Sequence, residues 1–425
     1  MKIPLNNYKN FMPKEPSRFY RWELLFLLFC AYFLHQADRA IFGVLLPSIK
    51  SELGLSDTQL GLTASVLFLV LAVMVPVAGF LGDRWSKKKI ITGSLIFWSV
   101  ATMLTGFARG LGGLILFRSV ATGGGESFYG PASTALIAAY HEKTRAIALS
   151  IHQASLYIGI MCSGFLAGYV AELFGWRFAF YLFGSFGILL GFILIFRLRD
   201  APQIGTINEK TISPFQAVLI LIRIPTVLLL TVGFTAIVFV NNAYLTWMPT
   251  FIKEKFALTQ IESGGYAMFY HHLAALIGVL AGGLFADMMV LRFPRFRILL
   301  QSVTMLLGTP LIFMIGNVHS LASLWITIFL FGGMRGLYES NTHAAMFDVI
   351  PLSLRSTVVG LMIMTAFLFG SFSPLLLGWL GDIYGTEKGL AFGFQILSFT
   401  WLLGGCCVFS SFFITFNKDQ QKYKP

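Results

Sequence analysis

The feature that most constrains the fold is a series of apolar runs that recur along the whole chain with short polar breaks between them. A helix rises about 1.5 Å per residue, so a run of roughly 20 residues matches the roughly 30 Å hydrocarbon core of a bilayer. We predict an all-α membrane protein. Its twelve membrane-spanning helices are expected at 22–46, 60–82, 90–108, 111–136, 147–170, 177–197, 225–250, 264–287, 297–316, 321–345, 358–380 and 389–414.

Composition makes lipid the natural solvent for this chain. Hydrophobic residues are 56% of the 425, charged residues only 12%, and the mean hydropathy is +0.76. A water-soluble core of this size could not bury so much apolar surface. The first run carries charges near its centre and ends without a small-residue cleavage pattern, so we expect a retained helix and not a signal peptide. The four cysteines lie in apolar runs and imply no disulfide framework.

The distribution of charge predicts topology. Most of the 31 Lys and Arg residues fall on the side of the predicted bundle that also holds both tails. The positive-inside rule then makes both termini cytoplasmic. We assign the net charge of +12 to topology and to anionic lipid headgroups, since no nucleic-acid motif is present. The short loops favour a bacterial inner membrane.

The polar breaks divide the chain into five parts. They are a cytoplasmic tail (1–21), a six-helix half (22–197), a cytoplasmic linker with surface helix (198–224), a second six-helix half (225–414) and a tail (415–425). An internal repeat supports the two halves, because Gly79-Phe-Leu-Gly-Asp83 is echoed by Gly283-Leu-Phe-Ala-Asp287. Two parallel halves around a central site permit alternating access by rocking.

The loop after the second helix, GFLGDRWSKKK, has a plausible gating role. Gly79 and Gly82 would let this helix approach a neighbour closely, Asp83 would cap or salt-bridge another helix end, and Arg84 would meet headgroups or loop acids. Such a latch, with Asp287 as its counterpart, would bias the two states of a transporter. The alternative is a basic loop that only sets topology.

Charged residues inside the first helix raise the question of function. An ionised group at mid-membrane costs at least about 2.5–3.5 kcal/mol, so it must face a partner or water. Asp38 and Arg39 are adjacent and point about 100° apart on a helix, so each needs a partner from another helix or from a substrate. His35 shares the face of Arg39, and Glu126 of the fourth helix is an available counter-ion. The alternative is an ion-pair network that only fixes helix packing.

Further polar side chains could line a site between the halves. The candidates are His152, Gln153 and Tyr157 of the fifth helix and Asn241, Asn242 and Trp247 of the seventh. Such groups can hydrogen-bond a sugar or acid, or equally join helices. Arg335 and Glu339, four residues apart, are expected to pair within their helix. Adjacent His271 and His272 diverge on a helix, so we expect no metal site.

At the level of families, GFLGDRWSKKK resembles the signature loop of the major facilitator superfamily. Ala37-Asp38-Arg39, Arg118 and Gly125-Glu126 resemble the organic anion:cation symporter and spinster-like branches. The resemblance implies proton coupling through Asp38 and Glu126, and contact of Arg39 and Arg118 with a substrate carboxylate. Glu126 follows Arg118 one residue later than the family pattern implies, and a bulge at Gly123–Gly125 is expected to absorb the extra residue.

The expected function is therefore proton-coupled transport of a small organic anion, such as a hexuronate, an aldonate or sialic acid. The alternative is a spinster-like carrier of lysophospholipid or a sphingolipid-type molecule. An enzyme is disfavoured because no phosphate-cradling loop or nucleophile elbow is present. A channel is disfavoured because channels are more often oligomeric rings. Protons, an anionic substrate and membrane lipids are the expected partners of a monomer without cofactors.

Overall fold

The structure, a computed structural model, describes residues 18–200, 223–351 and 354–423. These residues form helices and turns, with no strand among them. The helices are α1 (Arg18–Leu53), α2 (Asp57–Arg84), α3 (Lys87–Thr105), α4 (Leu111–Gly113), a π-helix (Leu114–Ala121), α5 (Thr122–Glu126), α6 (Tyr129–Tyr140), α7 (Arg145–Phe174), α8 (Trp176–Arg197), α9 (Pro225–Phe256), α10 (Gln260–Val290), α11 (Phe296–Ile315), α12 (Leu321–Glu339), α13 (Thr342–Phe347), α14 (Arg355–Gly370), α15 (Phe372–Tyr384), α16 (Thr386–Ile414) and α17 (Phe416–Tyr423).

Ten helical spans in the described part of the chain are long and apolar enough to cross a membrane. The predicted spans at 90–108 and 111–136 correspond to α3 and to the interrupted stretch from α4 to α6, which are not among the ten. The count of twelve therefore stays a prediction. Most of the proposed linker, including its surface helix, and most of the amino-terminal tail lie outside the described residues.

Local sequence explains where several helices begin. The Ser56 hydroxyl oxygen accepts a hydrogen bond from the backbone N–H of Gln59, and the Gln59 side-chain oxygen accepts one from the backbone N–H of Ser56, so α2 starts with a complete capping box. Thr259 and Glu262 form the same box at the start of α10. In each box the backbone N–H groups of the capping residue and of the third helical residue both gain an acceptor.

Three predicted helices are interrupted in the structure. The run at 111–136 contains the π-helix and a break between Glu126 and Tyr129, the run at 321–345 breaks after Glu339, and the run at 358–380 breaks at Ser371. The bulge expected at Gly123–Gly125 lies earlier, because the extra residue is accommodated by the wider π turn and the glycines are α-helical. Apolar periodicity alone carries no signal for these breaks.

Contacts between residues 18–200 and 223–423 concentrate at the end of the bundle where α1 ends and α2 begins, which we call the distal end. There α7 packs on α10, and α2 packs on α15. A Cβ on Gly164 would lie 2.5 Å from the carbonyl oxygen of Gly264, so these helices touch backbone to backbone. The two parts of the chain are therefore closely joined at the distal end.

The described residues do not show the expected close approach at Gly79 and Gly82. A Cβ on either glycine would meet none of their atoms within 4 Å. Close contact between helix backbones occurs instead at small residues of α7 and α10, such as Gly164 and Gly264. The reason is positional, because the end of α2 that carries Gly79 and Gly82 lies away from the distal end.

Candidate functional site

The first ion pair of the candidate site joins α1 to the π-helix. The Arg118 Nη1 lies 3.3 Å from Oδ2 of Asp38, and its Nη2 donates to the Asp38 carbonyl oxygen at 2.8 Å. Thr102 of α3 donates to the same Oδ2 at 2.7 Å. Asp38 and Arg118 are both buried. The π turn places Arg118 where it holds two atoms of α1 at once, so this pair also fixes helix packing.

The second ion pair joins α1 to the end of α5. The Arg39 Nε donates to Oε2 of Glu126 at 2.6 Å. His35, one turn earlier on α1, has its Nε2 3.4 Å from the Glu126 carbonyl oxygen and 3.9 Å from Oε2. Asp38 and Arg39 thus have separate partners on other helices, as their divergence on α1 predicted. Glu126 is buried, whereas the Arg39 side chain retains 14% exposure.

Each carboxylate of these two pairs keeps one oxygen without a hydrogen bond. Among the described residues, Asp38 Oδ1 and Glu126 Oε1 are buried and have no partner. Neither Nη atom of Arg39 forms a hydrogen bond to the described part of the chain, since only Nε does. A guanidinium edge without an acceptor can bind an anion. The two acids and Arg39 therefore keep unused hydrogen-bonding capacity.

Aromatic rings form one wall of the cluster. Tyr32 stacks on His152 with ring centroids 4.5 Å apart, and the Tyr129 hydroxyl lies 3.2 Å from His152 Nε2. His35 packs edge-on against Trp98 at 5.2 Å. Predicted residues His35 and His152 are therefore brought together through Tyr32 and Tyr129, which the sequence analysis did not single out. Neither tyrosine stands out in the sequence, because each lies in an apolar run.

A third cluster lies on α12 and crosses to α7. Arg335 donates from Nε and Nη2 to Oε1 of Glu339, at 2.9 and 2.8 Å, and its Nη1 lies 3.1 Å from His271 Nε2. The predicted pairing within the helix is confirmed. Tyr157 of α7 donates to Oε2 of Glu339 at 2.8 Å, so this cluster links the two parts of the chain. Glu126 and Glu339 both end a helix before a break, which extends the sequence repeat into structure.

The remaining predicted binding residues do not join these clusters through hydrogen bonds. The Gln153 side chain is exposed, and Asn241 is half-buried with its Oδ1 unpartnered among described residues. Asn242 donates to the Gly370 carbonyl oxygen and Trp247 donates to that of Pro374, at 3.2 and 2.8 Å. Asn242 and Trp247 thus connect α9 to α14 and α15. Their position agrees with the interhelical alternative.

The predicted gating residues are only partly visible. The side chains of Asp83 and Arg84 are not among those that the structure describes. Asp287 pairs with Arg297 at 3.0 Å, and Arg297 also contacts Asp348 at 3.2 Å. These contacts stay within residues 223–423.

The sequence analysis missed a polar network at the distal end. Asp382 accepts from the backbone N–H groups of Asp57 and Thr58, at 2.9 Å each. Thr386 donates to Asp57 Oδ2 at 2.6 Å, and Lys50 pairs with Asp57 at 2.7 Å. Asp382 thereby caps the start of α2 from the other part of the chain. In the sequence, this network is indicated only by Asp57 just before the predicted helix 60–82 and Asp382 just after the predicted helix 358–380.

Metal binding has no support in the described ranges, where no group of three His, Cys, Asp or Glu side chains is arranged to hold an ion.

Buried charged residues form pairs between helices that are long enough to span a membrane. They define a polytopic membrane protein with a polar interior. The sequence matches the model of the Major Facilitator Superfamily over residues 28–374. The chain belongs to that family of transporters.

Individual relatives share the fold at low identity. The chain is 25% identical to protein spinster homolog 1 of Xenopus laevis, covering 94% of this chain and 82% of the relative. It is 24% identical to the hexuronate transporter of Bacillus subtilis (strain 168), covering 91% and 92%. A crystal structure of a bacterial homolog to the human lysosomal transporter Spinster, inward-facing and unoccupied, superposes with a TM-score of 0.83 at 21% identity, covering 95% and 99%. The fold is therefore that of a major facilitator transporter.

Proposed function

We propose that this chain is a secondary active transporter of a small organic anion, a sugar acid such as a hexuronate, aldonate or sialic acid, coupled to protons by alternating access. The observation that carries the proposal is the free edge of Arg39. Its Nε is held by Glu126, while both Nη atoms are unbonded within the described residues. The two Nη groups form a planar fork that suits a carboxylate.

Charge balance supports coupling to protons. The three clusters contain three acids, Asp38, Glu126 and Glu339, and three arginines, Arg39, Arg118 and Arg335. With all six ionised the clusters carry no net charge, so an anion would add an uncompensated charge in low dielectric. Protonation of one acid leaves one positive charge in excess, which a single carboxylate then neutralises. One proton per monovalent anion is the expected ratio.

The roles of the residues follow from their exposure. Asp38 and Glu126 are the proposed proton carriers, since each has an unpartnered buried oxygen. Arg39 is the proposed carboxylate ligand, because Arg118 is fully buried and already holds the Asp38 side chain and carbonyl. Arg118 acts as a positioning residue for Asp38. His35, His152, Gln153 and Tyr157 are proposed to surround the substrate, with Asn241, Asn242 and Trp247 supporting the opposite wall.

The proposed architecture is twelve transmembrane helices in two six-helix repeats, residues 22–197 and 225–414, with cytoplasmic tails and a linker. We infer a bacterial inner membrane and a monomer. The distal end would then face outward, and its network of Lys50, Asp57, Asp382 and Thr386 would hold that side closed. Asp83 with Arg84, and Asp287, would bias the opposite side.

A second candidate is a spinster-like carrier of lysophospholipid or a sphingolipid-type molecule. Similarity to protein spinster homolog 1 over 94% of the chain favours it. Uptake of a panel of labelled sugar acids and lysolipids into proteoliposomes separates the two. Saturable counterflow of a sugar acid supports the anion carrier, whereas counterflow of lysolipid alone rejects it. A pore gives no counterflow.

A further inference from the structure

A groove of about 760 Å³ lies between α2, α3 and the π-helix with α5, and several of its lining side chains are exposed. Its volume is within the roughly 300–1,000 Å³ of ordinary ligand sites. Two glycines on opposite walls, Gly93 and Gly124, make the groove, because a Cβ on either would meet nothing within 4 Å. Phe97 and Val120 give it apolar walls.

One end of the groove is amphipathic. Trp85, 60% exposed, and Lys89, also exposed, line it near the junction of α2 and α3. Lys89 forms no ion pair with the described residues, and no acidic side chain lines the groove. Tryptophan and lysine side by side at a helix end are typical of the level of lipid headgroups.

We propose that this groove binds one anionic diacyl phospholipid of the bilayer, with an acyl chain against Gly93 and Gly124 and the phosphate at Lys89. The apolar walls match a hydrocarbon chain, and a lysine at the headgroup level that pairs with none of the described acids matches a negative phosphate. The proposal concerns a resident lipid and not a transported one. It does not depend on which substrate the carrier moves.

The position of the groove gives the lipid a role at the candidate site. Its floor is the glycine-rich segment that ends in Glu126, and its wall includes Phe97, next to Trp98, which packs on His35. Three consecutive glycines supply no side chains of their own for packing. The acyl chain therefore completes the packing behind the segment that presents Glu126 to Arg39.

Lipid retention measured by native mass spectrometry tests the proposal. The full-length protein is delipidated in detergent and exposed to equal amounts of dioleoyl phosphatidylglycerol and phosphatidylcholine. The wild type should retain one phosphatidylglycerol in preference. Lys89→Gln should reduce that preference about fivefold, which corresponds to about 1 kcal/mol for one lysine at an anionic headgroup. Gly124→Leu should fill the groove and lose the bound lipid.

Gly112→Leu is the matched control, because Gly112 is exposed at the other end of the same interrupted segment and its Cβ would also meet open space. It should retain lipid as the wild type does. Gly93→Leu fills the groove from the opposite wall and replaces Gly124→Leu if the latter fails to give a cooperative thermal transition. Equal binding of both lipids by the wild type, or unchanged retention in the groove-filling variants, would overturn the proposal.

A separate arm distinguishes a resident from a transported lipid. Lysophosphatidylglycerol is added to the wild type and to Arg39→Lys. Retention of the diacyl lipid should be the same in both proteins, because Arg39 is not among the residues that line the groove. If retention depends on Arg39 and not on Gly124, the lipid occupies the central site and the groove proposal is wrong. Failure of sugar-acid transport leaves this measurement unaffected.

Discussion

Arg39 and Glu126 form a short hydrogen-bonded ion pair, Nε to Oε2 at 2.6 Å, that leaves the two Nη atoms of Arg39 unbonded within the described residues. In the proposed mechanism, Glu126 and an incoming carboxylate compete for one guanidinium. A proton on Glu126 would then weaken the pair and strengthen the site for an anion, so that one side chain couples the two ligands.

Arg39→Lys should keep the charge yet lose most anion binding, because lysine lacks the planar fork. Loss of a charge-assisted contact costs about 1.5–3 kcal/mol, or roughly 10- to 150-fold in affinity. The measurement is thermal stabilisation of the purified protein by a sugar acid, with the corresponding neutral sugar as ligand control. Equal stabilisation of wild type and variant by the acid would reject the carboxylate role.

Glu126→Gln should reduce the pH dependence of anion binding. In the proposed mechanism a proton on Glu126 releases Arg39 for the anion, so anion affinity in the wild type should rise as pH falls. The charged and titratable groups around Glu126 are Arg39, His35 and Asp38. Asp38, the other proposed proton carrier, is expected to leave a residual pH dependence in Glu126→Gln. Dissociation constants measured across pH for wild type, Glu126→Gln, Asp38→Asn and His35→Gln separate these contributions. A variant Glu126→Gln with the wild-type slope would exclude Glu126 as the switch.

Asp382→Ala should open the distal end. The change removes two charge-assisted hydrogen bonds to the backbone of Asp57 and Thr58, each worth about 1.5–3 kcal/mol. Labelling of a Thr250→Cys reporter by a membrane-impermeant maleimide, in a cysteine-free background, should then accelerate, since Thr250 is buried beside the distal cavity.

Glu52→Gln is the control for the distal network. Glu52 lies at the same end and carries the same charge, but it contacts Trp176 and Arg177 within residues 18–200. With Glu52→Gln, the Thr250→Cys reporter should be labelled at the same rate as in the protein that carries the reporter alone. If Asp382→Ala labels no faster than Glu52→Gln, the network does not hold the distal end closed.

Much of the fold could be predicted from apolar run length, because a helix of fixed rise must match a bilayer of nearly fixed thickness. The ion pairs between helices were harder to predict from the sequence. Divergence of Asp38 and Arg39 predicted separate partners, but which acid meets Arg39 depends on the π turn that rotates Arg118 towards Asp38. The extra residue between Arg118 and Glu126 indicated an irregularity in this segment, but the local sequence did not place it at the π turn. The role of Asp382 was also hidden, since a cap supplied by a distant helix has no spacing signature.

The central claim is that proton binding in this charged cluster drives accumulation of an organic anion. Purified wild type and Asp38→Asn are reconstituted in proteoliposomes, and uptake of a labelled monovalent sugar acid is followed with an imposed pH gradient, alkaline inside, or with a membrane potential alone. The wild type should accumulate the anion with the pH gradient and not with the potential, because one proton accompanies each negative charge. Asp38→Asn should exchange the anion across the membrane without accumulating it. Accumulation by Asp38→Asn at the wild-type level would contradict the account.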